Sequence, residues 1–261
     1  MIGTRMNTPM ASTTPQSPPS PDTRTVRQVL LVTFRKQQVL QQEPAVRDFF
    51  GRLIRGVGMG DLGLPAISSA AVELDALLRA DEIATQDLVD LVDSHEVLRS
   101  EVARLAGGPQ APDTARQLGR LGLDRLWQLS LHQILSSPAF VLAPRQDAVD
   151  ALRQDLLATA EAAHRATGTL RGSLYSAALM HGIGRLVLLH AAAAAGVDDT
   201  AVDALCRAHG AALGMILLER WGFNAEIAQA VGYQDHPEQL PEPGASLAAQ
   251  VQACRRDALK R

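Results

Sequence analysis

The sequence predicts an all-α fold, a multi-helix bundle with a short helical extension and a disordered tail at its N-terminus. Three observations carry this. Aromatic residues are only 3% of the 261 while hydrophobic residues are 46%, so the core must be built from Leu, Ala, Val and Ile. Leu, Ala and Arg favour helices, whereas aromatic and β-branched residues favour strands. Apolar residues recur at helical spacing in segment after segment, broken by Gly and Pro. We find no strand pattern and no fixed-period repeat.

The elements follow in order. Residues 1–22 are rich in Pro, Ser and Thr (Thr13-Thr14-Pro15-Gln16-Ser17-Pro18-Pro19-Ser20-Pro21). Such a stretch cannot bury enough apolar surface to offset chain entropy, and it is expected to be disordered. Helices are expected near 24–42 and 44–56, together forming an extension over 23–58. In the second, Val46, Phe49, Phe50, Leu53 and Ile54 make an apolar stripe. Gly56, Gly58, Gly60 and Gly63 then mark a hinge-like connection to a helical domain over 59–261.

That domain opens with a helix bearing Ala70, Ala71, Leu74, Leu77 and Leu78. Thr85 is a candidate cap for a short helix with Leu88, Leu91 and Val92. Leu98, Val102 and Leu105 mark the next, stopped by Gly107-Gly108-Pro109. Asp113 is a candidate cap for a helix ending near Gly119. Leu123 to Ser136 makes another, stopped by Pro138. Pro144 can open a long helix to Gly168. Further helices fit 170–181, 183–195, 199–221, 224–233 and 245–259, with Asp198-Asp199 placed to cap the third of these.

Charge and cysteine content narrow the function classes. Net charge is -3, which argues against a chain that coats nucleic acid along its surface. Residues 1–60 hold 8 Lys/Arg and 3 Asp/Glu, an excess of five positive charges, leaving an excess of eight negative charges in the rest. Solvated Arg side chains on helix faces account for the basic part; an acidic partner or phosphate is the alternative. Two cysteines, Cys206 and Cys254, suggest small core residues rather than a disulfide framework. With no recognisable signal peptide, they point to a reducing cytoplasm. The longest apolar run, Leu186 to Ala195, falls short of the ~18 residues of a membrane span.

One segment carries most of the functional information: Leu179-Met180-His181-Gly182-Ile183-Gly184-Arg185-Leu186. It resembles the signature of the HD superfamily of metal phosphohydrolases. In the catalytic members the His is followed by Asp, and the pair binds metal. Here Gly182 stands in that place, and its side chain can ligate nothing. Other landmarks fall in the order found in HDOD domains, non-catalytic relatives of those enzymes. Leu64-Pro65-Ala66 is similar to the family's opening. Leu118-Gly119-Arg120-Leu121-Gly122-Leu123 matches its helix–turn–helix in part. His209-Gly210-Ala211-Ala212-Leu213-Gly214 with Leu218-Glu219-Arg220-Trp221 resembles the family's His-to-Trp stretch, and Ala228 to Pro237 its closing one. The resemblance covers roughly residues 60 to 250. Departures are Arg153-Gln154-Asp155-Leu156 for a "Trp-x-His-Ser" element, Gly107-Gly108 for Asn-Ser, and Gln234-Asp235 for a His pair, with His236 displaced.

Asp155, His181, Gly182 and His209 therefore outline a vestigial pocket. His181 and His209 fall on apolar stripes and are expected to point inward. With Asp155 they offer either a Zn-type ligand set or a buried hydrogen-bonded pair that fixes helix register. Gly182 favours the second, and no metal or other cofactor is expected. Gly182 is also expected to take the left-handed conformation that ends a helix, and Gly184 to let the next helix approach. Arg185, at a helix start, conflicts with the helix dipole; a packing or surface role is expected, with a carboxylate or anion partner as the alternative. His236 reads as a surface residue, and Trp127 and Trp221 as core anchors.

No phosphate loop with Lys and no nucleophile elbow is present, since the lysines are Lys36 and Lys260. The HDOD resemblance implies a non-enzymatic bacterial signalling module. Its partners would be signalling proteins, including those of cyclic-dinucleotide or two-component networks. Phe34, Phe49 and Phe50 in the N-terminal helices are the expected docking residues for such a partner or a second subunit. Two alternatives are a residual metal phosphohydrolase using Asp155, His181 and His209, and a nucleotide or anion sensor near Arg153 and Arg185.

Overall fold

A computed structural model describes residues 23–41, 43–59, 70–78, 83–107, 113–136 and 145–260, and these are helical with short connections. The expected tail over 1–22, the Leu64-Pro65-Ala66 opening, Gly60, Gly63, the proline stops at Pro109 and Pro138, and the helix-opening Pro144 lie outside the described residues. No strand occurs among the described residues.

The helices are α1 (Thr23–Leu40), α2 (Pro44–Met59), α3 (Ala70–Leu78), α4 (Thr85–Ser94), α5 (Glu96–Leu105), α6 (Thr114–Leu121), α7 (Leu123–Leu135), α8 (Gln146–Thr167), α9 (Ser173–Met180), α10 (Ile183–Ala193), α11 (Asp199–Arg220), α12 (Ala225–Gly232) and α13 (Gly244–Ala258). A single 3-10 turn, Pro237–Gln239, separates the last two. Local chemistry explains several ends. The Asp113 carboxylate accepts from the Arg116 amide at 2.7 Å, and Asp198 accepts from Ala201 at 3.2 Å. Each satisfies an amide that the first helical turn leaves open. Gly168 ends α8 in the left-handed conformation at φ 72°. Thr85 differs from expectation. It is the first residue of α4, Ala84 precedes it as the cap, and no side chain caps that end.

The helices share one apolar core running from Leu30 to Cys254. Helices α3 to α7 form one group. Trp127 of α7 is buried and donates its indole N–H to Ser176 Oγ of α9 at 3.1 Å, tying that group to the rest. Helices α8 to α13 form the other group, with α10 laid closely along α11. A Cβ at Gly184 would collide with the Gly210 carbonyl and lie 2.5 Å from the Gly214 amide nitrogen. Only a glycine lets the two backbones meet this closely, as its place in the sequence suggested.

The N-terminal helices belong to the same core. Phe34 and Phe49 are 0% exposed and Phe50 3%, with Leu30, Leu53 and Val57 also buried. Phe34 packs against Phe50 and against His209 of α11, the second contact edge-on with ring centres 5.4 Å apart. This corrects the expectation that Phe34, Phe49 and Phe50 dock a partner. Their apolar stripe faces α10 and α11 of the same chain. An amphipathic helix shows only that it packs on something, and here intramolecular burial satisfies it.

Two stretches, Ser173–Ala193 and Asp199–Arg220, are long and apolar enough to cross a membrane by length and composition. The sequence reading missed the first because His181 and Gly182 interrupt it, whereas α9 and α10 run on from each other. Of its apolar window 83% is buried inside the chain, and half of the second is.

Candidate functional site

The site forms where the α9–α10 junction meets α8, α12 and α13. His181 caps the end of α9 and Gly182 caps the start of α10. His181 is 2% exposed. Its Nδ1 lies 2.7 Å from the Ala178 carbonyl, which can only accept, so Nδ1 carries a hydrogen. Its Nε2 lies 3.3 Å from Asp155 Oδ2 of α8. The Asp155 carboxyl is held below the usual carboxylate range, chiefly by this hydrogen bond. Desolvation opposes the shift, and the charges of His181, Arg255 and Arg185 add to it. The ionised Asp155 carboxylate faces Nε2 across this contact.

Gln234 completes the joint from the other side. Its amide is buried and donates to the His181 carbonyl at 2.8 Å and the Val231 carbonyl at 3.0 Å. Its Oε1 accepts from Arg255 of α13 at 3.0 Å, and Arg255 also pairs with Asp235 at 2.7 Å. One run of polar contacts thus links Asp155 of α8, His181 at the α9–α10 junction, Gln234 and Asp235 in the turn after α12, and Arg255 of α13. Such networks are costly half-made and fix a unique arrangement when satisfied.

The outlined pocket is assembled only in part. Asp155 and His181 meet, but His209 sits against Phe34, and burial lowers its pKa. Among the described residues no three His, Cys, Asp or Glu side chains are grouped to hold a metal ion. Gly182 has φ −107°, not the left-handed value expected of it. Its role is steric. A Cβ there would lie 2.9 Å from Leu156 Cδ2 and 3.1 Å from Leu152 Cδ1. Leucine methyls of α8 lie against the point where a side chain at position 182 would begin. A donor set of one carboxylate and one imidazole, closed off by leucines, does not fit the metal centre of an HD enzyme.

Other expectations resolve individually. Arg153 donates to the Leu135 carbonyl at 2.9 Å and pairs with Asp150 at 3.2 Å, so it is committed to the fold rather than to an anion shared with Arg185. Arg185 packs over Gly210, the packing role its position also allowed, and its charge is the smallest of the influences that lower the Asp155 pKa. His236 is on the surface, pairing with Glu238 at 3.4 Å. Cys206 is buried, and desolvation pushes its thiol up to about 11, as suits an unreactive core residue. Sequence reasoning missed Arg255 altogether. Its signal was faint, a charged residue directly after Cys254 at the edge of the α13 apolar stripe.

Two histidines predict a pH response. Burial lowers the pKa of His132, helped by the charge of Arg125, and that of His209. A depressed pKa means that the unfolded chain takes up protons first. Stability from these rings is present above the ordinary imidazole pKa of about 6.5 and is lost as pH falls below it. Replacing both with Gln should therefore flatten the fall of Tm between about pH 7 and pH 5. An equally steep fall in the double variant would contradict this assignment.

Comparison with known proteins agrees with this architecture. The HDOD domain family matches residues 64–237. No curated protein sequence matches the chain. Among solved structures, an HDOD domain protein of unknown function from Geobacter sulfurreducens is 18% identical with a TM-score of 0.57, covering 90% of this chain and 79% of that one. A candidate phosphohydrolase from Shewanella amazonensis is 23% identical with a TM-score of 0.53, covering 80% of each chain. A candidate signal-transduction protein from Marinobacter aquaeolei is 19% identical with a TM-score of 0.55; the match covers 90% of this chain and 55% of that one. At such identities these structures speak for the fold alone. The family match spans well over half of the sequence and joins the His181-Gly182 junction to its flanking helices: this chain belongs to the HDOD domain family.

Proposed function

We propose that this chain is a non-enzymatic signal-transduction module that acts by binding other proteins, in the bacterial cytoplasm, as its HDOD membership suggests. The observation that carries the proposal is the filling of the Gly182 position. Hydrolysis of a phosphodiester by a metal centre needs a bound water of lowered pKa, and that needs several donors around a cation. Here Leu152 and Leu156 close on Gly182, and the Asp155–His181 pair satisfies itself. The polar residues of the old pocket serve as a joint between helices. A rigid helical body held by such a joint presents fixed faces to partners. The signalling assignment of the Marinobacter aquaeolei structure is consistent with this reading.

The test is turnover. The purified full chain should hydrolyse no generic phosphodiester above background with Mn²⁺ or Ni²⁺ added. Metal-dependent activity that His181→Ala removes would overturn the proposal and restore the phosphohydrolase alternative.

A further inference from the structure

Helix α1 carries a second apolar face that is exposed among the described residues. Leu30 and Phe34 point into the core. On the opposite side Val29 is 59% exposed, Val32 50%, Val39 84% and Leu40 71%. Arg35 and Lys36 are exposed on the same side, and α1 contains no acidic residue. Single exposed apolar residues are ordinary, but four along one helix face form a patch.

A groove of opposite charge lies between α3 and α4. It has a cavity volume of about 560 Å³ and is lined by Ala76, Leu77, Leu91 and Ser94 with Glu73, Asp87 and Asp90; Glu73 pairs with His95 at 3.3 Å, and Asp90 accepts from Gln86 at 2.7 Å. Neither helix contains a basic residue. At 1.5 Å per residue, the 9 and 10 residues of α3 and α4 give a groove roughly 14 Å long. The Val29–Leu40 face spans roughly 17 Å. The two surfaces are thus similar in length, both carry apolar side chains, and they are opposite in charge.

We propose that the outer face of α1 docks into the α3–α4 groove of a second copy of this chain. The valines would fill the groove as an amphipathic helix fills a hydrophobic cleft, with Arg35 and Lys36 against Asp87 and Asp90. The contact joins two different surfaces, so one copy offers its helix where the other offers its groove. The inference is independent of whether the module is catalytic.

Sedimentation of the full chain across a concentration series tests it, with two variants altered only at exposed positions. In one, Val29→Glu and Val32→Glu spoil the helix face. In the other, Asp87→Lys and Asp90→Lys spoil the groove. Circular dichroism melts establish that both fold. The wild type should associate as concentration rises, and less so in high salt, which screens charges beyond a few ångströms. Each variant alone should remain monomeric. Mixed together they should form a 1:1 complex, because one supplies the intact helix and the other the intact groove. A wild type that stays monomeric throughout overturns the proposal. So does a groove variant that still self-associates, which would indicate α1 pairing with α1 or another surface, and so does a mixture that fails to combine.

Discussion

Replacing Gly184 with alanine is expected to destabilise the protein by about 3 kcal/mol or more, although alanine is the better helix former. The added methyl would meet the Gly210 carbonyl and the Gly214 amide, which are backbone atoms of α11 and cannot swing aside like a flexible side chain. Relief requires α10 and α11 to separate, and that loosens the packing of Leu186, Val187, Leu213 and Leu217, all nearly fully buried. Interiors packed at crystal-like density resist such movement. Gly119 in α6 provides the control, because a Cβ there meets nothing within 4 Å. Gly119→Ala should be neutral or stabilise by up to about 1 kcal/mol through helix propensity. Urea unfolding of both variants separates the two effects. A Gly184→Ala protein as stable as the wild type would refute the close approach of the two helices.

The second large effect concerns the N-terminal helices. Removing residues 1–58 deletes Leu30, Phe34, Phe49, Phe50, Leu53 and Val57, all of which are at most 3% exposed. It also uncovers the surfaces of α10 and α11 against which α1 and α2 rest. Losing one large buried side chain costs about 2–5 kcal/mol, and a domain has only about 5–15 kcal/mol in total. The truncated chain should therefore lose its cooperative thermal transition and bind a dye that reports exposed apolar surface. If it melts as sharply as the full chain, α1 and α2 are a dispensable extension. The family match begins only at residue 64, so the folded unit as described is larger than the family-defined segment.

The helices were legible in the sequence because helical periodicity and Gly or Pro punctuation are local signals. Those assigned to 199–221 and 224–233 appear as Asp199–Arg220 and Ala225–Gly232. The Asp198 cap and the approach at Gly184 were legible for the same reason. What a face packs against is not local. The stripe of Phe49, Phe50 and Leu53 looked the same whether it met α10 or another protein. Gly182 shows a second limit. A glycine after a helix reads as a left-handed terminator, while the reason for this one lies in Leu152 and Leu156, about thirty residues earlier. The candidate site was found in half. Asp155 was expected to pair with one of the two histidines, and its partner is His181; the apolar-stripe argument could not choose between them and set His209 in the same pocket. A stripe gives burial, not a partner, and His209 spends its burial on Phe34. Gln234 was visible only as a departure from the HDOD pattern, and its bond to the His181 carbonyl depends on α12 crossing the α9–α10 junction.

We propose that the Asp155–His181 pair is a structural joint between helices, with too few donors around it to retain a divalent cation. Titration of Mn²⁺ into the full chain, followed by calorimetry, tests it most directly. The account predicts no saturable heat and no metal retained after dialysis. Stoichiometric binding that vanishes in His181→Ala would contradict it.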